Sequence, residues 1–368
     1  MTETESNIRI FATCDIGREA LELLRARGYE VEVYDQLEPP PKSLIIEKVR
    51  AGIDGLITTL RDPIDREIFE AGKGTLKVVA QNAVGFDNIN RADANEYKVP
   101  FTNTPEVLTE ATAEFALLML GAVARKLYPS EQLVRENCWG AWHPYLPFLG
   151  DEVTGKTVGV IGMGRIGQAF VKKAVGFDVN LLCYDPALTP ADFLTGVREE
   201  MDLRYRNGFS PGRQTIRMTS FEEALSGSDF VSLHVPLIQE GKFSTFHLIN
   251  EKTLRMMRPT AYLLNTSRGP VVDEAALAKA LKNRVIAGAA LDVFEREPLP
   301  QDSPLRDPEL LDRVRLFHHF ASGGRITRLS TDPKRGMAGR CVQSLIDVLE
   351  ARGNLASLPA IVNKEAFR

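Results

Sequence analysis

The residues of this chain that could do chemistry follow the ends of apolar runs, and they are of four types. They are a glycine-rich turn at Gly162, Gly164 and Gly167, an arginine at Arg268, acids at Glu295 and Glu297, and a histidine pair at His318 and His319. A glycine-rich turn at the start of a helix can bind a dinucleotide, a guanidinium can bind a carboxylate, and an imidazole can donate a proton. Together they favour a redox reaction on a small anionic carbonyl compound, which none of them would indicate alone.

The glycine turn has the context of a dinucleotide site. It follows the apolar run TVGVI, residues 157–161, and precedes a helical pattern, QAFVKKAVG, residues 168–176. The first glycine permits a tight turn, the second lets the backbone approach a pyrophosphate, and the third allows the helix to pack closely on the sheet. Asp185 ends the next apolar run, near the position expected for an acid that binds the ribose hydroxyls. Because a carboxylate repels a 2′-phosphate, the sequence predicts a preference for NADH over NADPH.

The arginine and the acids each allow two interpretations. Arg268 lies in NTSRGP, just beyond the carboxyl end of a predicted strand, where ligands bind in open parallel sheets. It could bind a substrate carboxylate, or it could be a surface arginine paired with a nearby acid. Glu295 and Glu297 flank Arg296 in VFEREP. A carboxylate there could orient an imidazole and favour its charged form, or the segment could be a solvated acidic loop.

The chain has five histidines, so few residues can be the proton donor. His143 lies in an aromatic segment, His234 ends a predicted strand and His247 precedes a predicted helix; packing roles are favoured for His234 and His247. His318 and His319 end the last predicted strand, LFHHF. Side chains alternate along a strand, so at most one of this pair can face a cleft, and the residues do not say which.

Composition and length exclude several classes of protein. The 368 residues suit two domains, and a formal net charge of −4 gives no basic field for nucleic acid or anionic membranes. The longest strongly apolar stretch, residues 115–124, is about half of what a bilayer span needs, and the N-terminal segment has no signal-peptide core. The four scattered cysteines are expected to be reduced thiols of a cytoplasmic protein. No sequence pattern indicates a serine nucleophile or a bound metal.

The order of apolar runs and helical patterns predicts two α/β domains. Strands predicted at 9–14, 29–35, 55–60, 77–85 and 100–104 alternate with helices near 18–27, 43–51, 65–72 and 90–97, and a long helix follows over about 107–126. The alternation restarts at residue 157 through the runs TVGVIG, NLLCYD, TIRM, FVSLHVP, AYLLNTS, IAGAALDVF and VRLFHHF, which end near residue 320. Strict alternation implies parallel sheets that helices cover on both faces.

Three segments depart from this alternation. Residues 127–155 include CWGAWHPYLPFLG, rich in aromatic residues and proline, and are expected to form an extended arm. Residues 186–215 are polar and are expected to form a surface insertion. A helix near 334–352 has no strand after it, so it is expected to pack back onto the first domain.

Seven segments together resemble the D-isomer-specific 2-hydroxyacid dehydrogenase family, over nearly the whole chain. They are AVGFDNIN (83–90), TEATAEFALLML (109–120), GKTVGVIGMGRIGQ (155–168), HVPL (234–237), HLINEKTL (247–254), LLNTSRGPVVDEAAL (263–277) and AALDVFEREPLP (289–300). The turn, the insertion and the arm are most similar to the glyoxylate/hydroxypyruvate reductase branch. The resemblance implies a Rossmann NAD-binding domain at 107–320, with a dimerisation arm at 127–150. It would be inserted into a flavodoxin-like substrate domain formed by 1–106 and 321–368.

The resemblance also implies the site residues. The catalytic residues would be Arg268, Glu297 and His319, and the backbone of Val84 and Gly85 would bind the substrate carboxylate together with Arg268. The residues implied for cofactor binding are Thr109, Gly162, Gly164, Arg165, Ile166, Gly167, Asp185, His234, Pro236, Thr266, Ser267, Asp292, His319 and Ala321. The chain departs from the family pattern at His318, which replaces the usual proline, and at FASGG after the histidines. The long 186–215 segment is a further departure.

The expected function is therefore NADH-dependent reduction of a small 2-keto acid to a D-2-hydroxy acid, by a homodimer. The resemblance implies that the arm embraces the second subunit and that Trp139 or Trp142 contributes to the partner's active site; Tyr145 and Phe148 belong to the same arm. Two alternatives stay open at this point. One is formate or phosphite oxidation on the same scaffold, which the pocket around Asn82 and Trp139 would decide. The other is an NADH-sensing, corepressor-like regulator, which turnover with glyoxylate would exclude.

Overall fold

The computed structural model describes residues 8–144 and 149–368. The chain forms two compact units, one of Met1–Leu108 with Gly323–Arg368 and the other of Thr109–Ser322. Tyr145 and Phe148 of the expected arm lie outside the described residues. In the part of the chain that is described, no helix has the length and apolar character to cross a membrane.

The first unit contains a five-stranded parallel sheet. Numbered along the whole chain, its elements are β1 (Arg9–Ala12), α1 (Arg18–Arg25), β2 (Glu30–Val33), α2 (Lys42–Arg50), β3 (Gly55–Thr58), α3 (Arg66–Ala71), β4 (Val78–Gln81), α4 (Arg91–Glu96), β5 (Phe101–Thr102), α12 (Arg325–Leu329) and α13 (Met337–Leu349). The strand order is β2-β1-β3-β4-β5, which is the flavodoxin-like order. The predicted strands and helices of this unit are confirmed.

The sequence of this unit reflects burial on both faces of its sheet. β3 and β4 are buried along their whole length, so they are continuous apolar runs rather than alternating ones. On one face, α13 packs Ala338, Val342 and Leu345 into the same core as α1. The expectation that the C-terminal helix packs back onto the first sheet is therefore confirmed.

The second unit contains a seven-stranded parallel sheet. Its elements are α5 (Thr109–Ala124), α6 (Leu127–Arg135), β6 (Thr157–Ile161), α7 (Arg165–Ala174), β7 (Asn180–Tyr184), α8 (Ala191–Arg206), β8 (Ile216–Met218), α9 (Phe221–Ser226), β9 (Phe230–Leu233), α10 (Glu251–Leu254), β10 (Tyr262–Asn265), α11 (Glu274–Lys282), β11 (Gly288–Leu291) and β12 (Val314–Leu316). The order β12-β11-β10-β9-β6-β7-β8 is the doubly wound Rossmann order with one added strand. It confirms the fold class expected for this part of the chain.

Two of the expected irregular segments are helical instead. The expectation of a surface insertion at 186–215 is wrong, because residues 191–206 form α8, the crossover helix between β7 and β8. Its Leu194, Val197 and Met201 are buried in the core with Ile216. The expectation of an extended arm over 127–155 is wrong at its start, where α6 forms without burying any of its residues.

Strand order also defines the edge of this sheet that a ligand can use. β6 has β7 on one side and β9 on the other, so successive connections leave it in opposite directions. In open parallel sheets, ligands bind outside the carboxyl ends of the strands at such a switch point. Gly162 and His234 are the residues that follow β6 and β9 there.

Candidate active site

The glycine turn is shaped by close backbone contacts at its first and third glycines. Gly162 has φ +98°, and a Cβ on it would lie 2.5 Å from the carbonyl oxygen of His234. A Cβ on Gly167 would lie 2.0 Å from the carbonyl oxygen of Gly162. No atom lies within 4 Å of the Cβ position of Gly164, which is the N-cap of α7. The turn therefore leaves open space beside the helix N-terminus, which fits the pyrophosphate of a dinucleotide.

Asp185 ties the glycine turn to the loop after β7. Its carboxylate accepts hydrogen bonds from the N–H of Met163 at 2.8 Å and from the N–H groups of Ala187 and Leu188, each at 2.9 Å. Asp185 is half-buried, and each of its two oxygens already has a protein donor. It therefore holds negative charge at the end of β7, where the sequence predicts ribose binding.

Two buried polar atoms along this edge have no hydrogen-bond partner among the described residues. They are Nδ1 of His234 and Oγ1 of Thr266. The other ring nitrogen of His234 lies 2.9 Å from the Ser232 hydroxyl, and the ring packs against Phe170 with 4.9 Å between centroids. Burial lowers the pKa of the His234 imidazole to about 3, so the ring is neutral. Packing explains this ring, and the unpartnered atoms are available to a cofactor.

The remaining residues expected at the cofactor site lie in the same unit. Thr109 begins α5, and the exposed Arg165 begins α7, where the next residue, Ile166, is half-buried against the core. Pro236 lies in the loop after β9, and its carbonyl accepts a hydrogen bond from the Thr245 hydroxyl at 2.6 Å. Ala321 is buried in the loop after β12. Their contact with a cofactor stays a prediction.

Arg268 is placed by the loop that follows β10. The Asn265 side chain accepts from the N–H and hydroxyl of Ser267 at 3.0 and 2.8 Å and donates to the Arg268 carbonyl at 2.9 Å. The Arg268 guanidinium donates to the Ser267 carbonyl at 2.8 Å. Asn265 is a site-organising residue that the sequence interpretation missed, although its position at the end of the run LLN was a usable signal.

Glu297 and His319 form a hydrogen-bonded pair. Glu297 Oε2 lies 2.8 Å from His319 Nδ1, and Glu297 Oε1 accepts the N–H of Phe294 at 3.0 Å. Burial opposes ionisation of Glu297, but the hydrogen bond and charge of His319, the Phe294 N–H and the charge of Arg268 together lower its pKa. Glu297 is therefore ionised, and its carboxylate fixes the Nδ1 side of the His319 ring.

The structure separates the two adjacent histidines. β12 ends at Leu316, so His318 and His319 lie beyond the strand, and the expectation that strand alternation divides them is wrong. His319 has φ +54°, a left-handed conformation, and its N–H donates to the Asp292 carbonyl at 2.8 Å. The His318 ring instead stacks on Phe320 with 5.0 Å between centroids.

A buried carboxylate fixes the loop that carries His319. Asp292 is fully buried, and its two oxygens accept the N–H groups of Phe320 at 2.6 Å and Ala321 at 2.8 Å. Burial raises the pKa of Asp292, while those two N–H donors and the charge of His319 oppose the shift. The expected contact of Asp292 with the cofactor stays a prediction; the structure shows that its carboxylate holds the loop through two backbone N–H groups.

In the first unit, the loop after β4 presents two backbone N–H groups. The carbonyl of Val84 accepts from the Asn103 side chain at 2.7 Å, and that of Gly85 accepts from Gln81 at 3.1 Å. Among the described residues, the N–H groups of Val84 and Gly85 donate to no other group. Fixed carbonyls with free N–H groups make this loop able to bind a carboxylate.

A Rossmann sheet with a glycine turn, together with an arginine and an imidazole paired with a carboxylate, defines a dinucleotide-dependent dehydrogenase. Residues 117–321 match the model of the "D-isomer specific 2-hydroxyacid dehydrogenase, NAD binding domain". The chain belongs to the D-isomer specific 2-hydroxyacid dehydrogenase family, as the sequence motifs predicted.

Three similar proteins extend this result to the whole chain. The chain is 42% identical over 361 residues to a glyoxylate reductase of Korarchaeum cryptofilum, covering 98% of this chain and 97% of that one. It is 39% identical to a glyoxylate reductase of Thermococcus litoralis, covering 98% of each chain. The crystal structure of the TT0316 protein from Thermus thermophilus superposes with a TM-score of 0.81 at 38% identity, covering 96% of this chain and all of that one.

Proposed function

We propose that this protein is an NADH-dependent reductase of small 2-keto acids, of the glyoxylate or hydroxypyruvate type, which forms D-2-hydroxy acids. The observation that carries the proposal is the 2.8 Å contact between Glu297 and His319 within reach of the Arg268 charge. This set can bind an anion, polarise a carbonyl and donate a proton. The two relatives named glyoxylate reductase cover nearly the whole chain and support this substrate class.

Arg268 is proposed to bind the substrate carboxylate. A guanidinium can bind a carboxylate through two hydrogen bonds. Arg268 also faces the ketone in this proposal, where its charge stabilises the negative charge that develops on the oxygen. Asn265 contributes by fixing the loop on which Arg268 lies.

His319 is proposed as the proton donor and Glu297 as the residue that keeps it protonated and oriented. NADH, when bound, supplies the hydride that adds to C2 of the keto acid. His319 then gives its proton to the ketone oxygen, so that the alcohol forms in one net two-electron reduction. The Glu297 carboxylate favours the charged imidazole before that transfer, and proton donation of this kind contributes about 10²–10⁴ in rate.

The cofactor is proposed to be NADH rather than NADPH. Asp185 holds a negative charge at the end of β7, and its hydrogen bonds to the Met163, Ala187 and Leu188 N–H groups keep it there. A carboxylate in this place can accept ribose hydroxyls and repels a 2′-phosphate.

A homodimer is proposed from the aromatic residues that follow α6. Trp139 and Trp142 are 56% and 80% exposed, and Leu127 and Val134 of α6 are exposed beside them in sequence. Large apolar side chains at this density usually mark a protein interface. In the proposed dimer, Trp139 or Trp142 contributes to the partner's active site.

A cytoplasmic location is also proposed. It is supported by the four cysteines, which are all free thiols.

A substrate screen tests the proposed function. NADH oxidation is measured with glyoxylate, hydroxypyruvate, pyruvate, phenylpyruvate, and separately NAD reduction with formate and phosphite. We expect turnover with glyoxylate or hydroxypyruvate, and its loss in His319→Gln at unchanged NADH affinity. Turnover only with formate or phosphite, or NADH binding without turnover of any compound, would replace the proposal with one of the two alternatives.

A further inference from the structure

A second histidine–carboxylate pair lies in the same unit as the Glu297/His319 pair. His247 Nε2 lies 3.1 Å from Glu295 Oε1, and His247 Nδ1 lies 4.0 Å from Asp273 Oδ2. His247 has φ +47°, and its ring stacks on Phe246 with 4.1 Å between centroids. The sequence interpretation favoured packing for this histidine and left Glu295 undecided. The proposed reaction uses neither residue directly.

Glu295 is fixed by more than its contact with His247. Its Oε1 also accepts the N–H of Glu274, the first residue of α11, at 3.0 Å. In return the Glu295 N–H donates to Glu274 Oε1 at 2.6 Å. Burial and the charges of Glu295 and Glu297 raise the pKa of Glu274, although the Glu295 N–H opposes the shift. The segment before Glu297 is therefore held to the N-terminus of α11 by two reciprocal hydrogen bonds.

His247 connects the same cluster to the loop that carries Arg268. The backbone N–H of His247 donates a hydrogen bond to the carbonyl of Pro270 at 2.8 Å, and Pro270 is two residues beyond Arg268. Between them, Gly269 lies against the other segment, since a Cβ on it would fall 1.9 Å from the Phe294 carbonyl carbon and oxygen. The backbone at Arg268 and the backbone leading to Glu297 are thus in direct contact, and His247 and Glu295 join them from one side.

We infer that His247 and Glu295 are positioning residues, which hold the Arg268 loop and the Glu297 segment in the relative places that the reaction needs. The inference rests on the proposed function for its catalytic consequence. The groups that face the pair are Asp273 and Glu274 from the start of α11, and both are acidic, so neither can replace His247 as a hydrogen-bond partner of the Glu295 carboxylate. Without the pair, the segment that leads to Glu297 loses the contacts of the Glu295 carboxylate with His247 and with the Glu274 N–H.

The expected effect is on the chemical step rather than on NADH binding. A shift of about 1 Å in a catalytic group can cost on the order of 10² in rate. The glycine turn follows β6 and Asp185 follows β7, and neither His247 nor Glu295 contacts them in the described structure. Removal of the pair should therefore lower kcat by roughly ten- to a hundredfold, with unchanged NADH affinity.

Five variants test the inference: Glu295→Ala, His247→Ala, the double variant with both Ala substitutions, the conservative Glu295→Gln, and the control Glu251→Gln. Gln at 295 keeps an acceptor for the Glu274 N–H, so it should recover most of the lost kcat. Glu251 is an exposed α10 carboxylate that pairs with Arg255 at 2.9 Å, and its variant should behave as wild type. The double Ala variant should lose little more than either single one, because both act through the same contact.

The readouts are kcat and KM for glyoxylate, NADH affinity by fluorescence, the pH profile of kcat, and a crystal structure of Glu295→Ala. The alkaline fall of kcat should move to lower pH in both Ala variants, and the distance between Glu297 and His319 should exceed hydrogen-bond length in the crystal. A lower melting temperature with unchanged kcat, pH profile and distance would overturn the inference. A wild type without activity would refute the proposed function but not the positioning role. The distance between Glu297 and His319 in the Glu295→Ala crystal structure would still test that role. If Glu295→Ala does not fold, His247→Ala and Glu295→Gln provide the same comparison.

Discussion

The cofactor preference assigned to Asp185 can be tested by removing its charge. Two effects compete in Asp185→Asn. The variant loses the charge that repels a 2′-phosphate, and it also weakens the contacts that the carboxylate makes with the Met163, Ala187 and Leu188 N–H groups. The first effect changes the choice between NADH and NADPH, while the second lowers affinity for both. The ratio of the two cofactors therefore isolates the charge.

The size of the charge effect follows from Coulomb's law. Two unit charges about 4 Å apart interact by about 1 kcal/mol in water and about 4 kcal/mol at an effective dielectric constant near 20. Asp185 is half-buried, so the lower part of that range applies. A difference of about 1.4 kcal/mol corresponds to tenfold in kcat/KM. We therefore expect wild type to prefer NADH at least about tenfold, and Asp185→Asn and Asp185→Ala to reduce that ratio because neither variant repels the 2′-phosphate.

The assay is kcat/KM for NADH and NADPH at saturating glyoxylate and fixed ionic strength, since salt screens an exposed charge. Asp178→Asn is a matched control: this acid pairs with Arg204 at 3.1 Å in the loop before β7 and should not change the ratio. Equal use of both cofactors by wild type, or an unchanged ratio in both Asp185 variants, would refute the role of Asp185.

Three further predictions follow from the site and the exposed aromatic residues. His319→Gln should lower kcat by about 10²–10⁴ with NADH affinity retained. His318→Gln should lower kcat much less, because the His318 ring stacks on Phe320 instead of pairing with an acid. A larger loss of kcat in His318→Gln than in His319→Gln would show that His318 is the proton donor. Glu297 has a lowered pKa, so its carboxylate stays charged until the pH falls below the ordinary glutamate range near about 4.3. In Glu297→Gln the alkaline fall of kcat should move to lower pH, and an unmoved profile would remove Glu297 from the reaction. Light scattering at micromolar concentration should report a dimer that Trp139→Ala or Trp142→Ala weakens, and a wild-type monomer would exclude the shared site.

Much of the fold could be predicted because both sheets are parallel and covered on both faces. Such strands are continuous apolar runs, as GLIT at 55–58 shows, and the helices between them bury one face each. Ligands of parallel sheets bind at the carboxyl ends of the strands, so the predicted strand ends were enough to locate site residues. Arg268 beyond β10 and Asp185 beyond β7 were located in this way.

Two helices could not be recognised because their apolar signal is weak. α8 buries a narrow stripe of three residues, and most of its other residues are polar or charged, so its sequence resembled a solvent-exposed insertion. α6 buries none of its residues, and it directly precedes a segment rich in aromatic residues and proline, so the sequence predicts part of an extended arm there. α8 is therefore specified by its place in the fold more than by hydrophobic periodicity.

The choice between His318 and His319 could not be made from the residues alone. It depends on where β12 ends and on a left-handed backbone at His319, which is uncommon for a residue other than glycine. Only the family resemblance placed the paired imidazole at 319, and the structure brings that ring to Glu297. The loop is fixed by hydrogen bonds from the Phe320 and Ala321 N–H groups to Asp292. These residues are 28 and 29 positions apart in the sequence, so no local sequence pattern predicts the contact.

The most direct test of the central claim is the stereochemistry and Arg268 dependence of hydroxypyruvate reduction. Wild type and Arg268→Ala are incubated with NADH and hydroxypyruvate, and the glycerate formed is resolved by chiral chromatography. Membership of the D-isomer specific family predicts D-glycerate alone from wild type. The proposed role of Arg268 predicts both a higher KM and a lower kcat in the variant, because the guanidinium serves the carboxylate and the developing oxyanion. Formation of L-glycerate or a racemate, or an Arg268→Ala variant with wild-type kinetics, would contradict it.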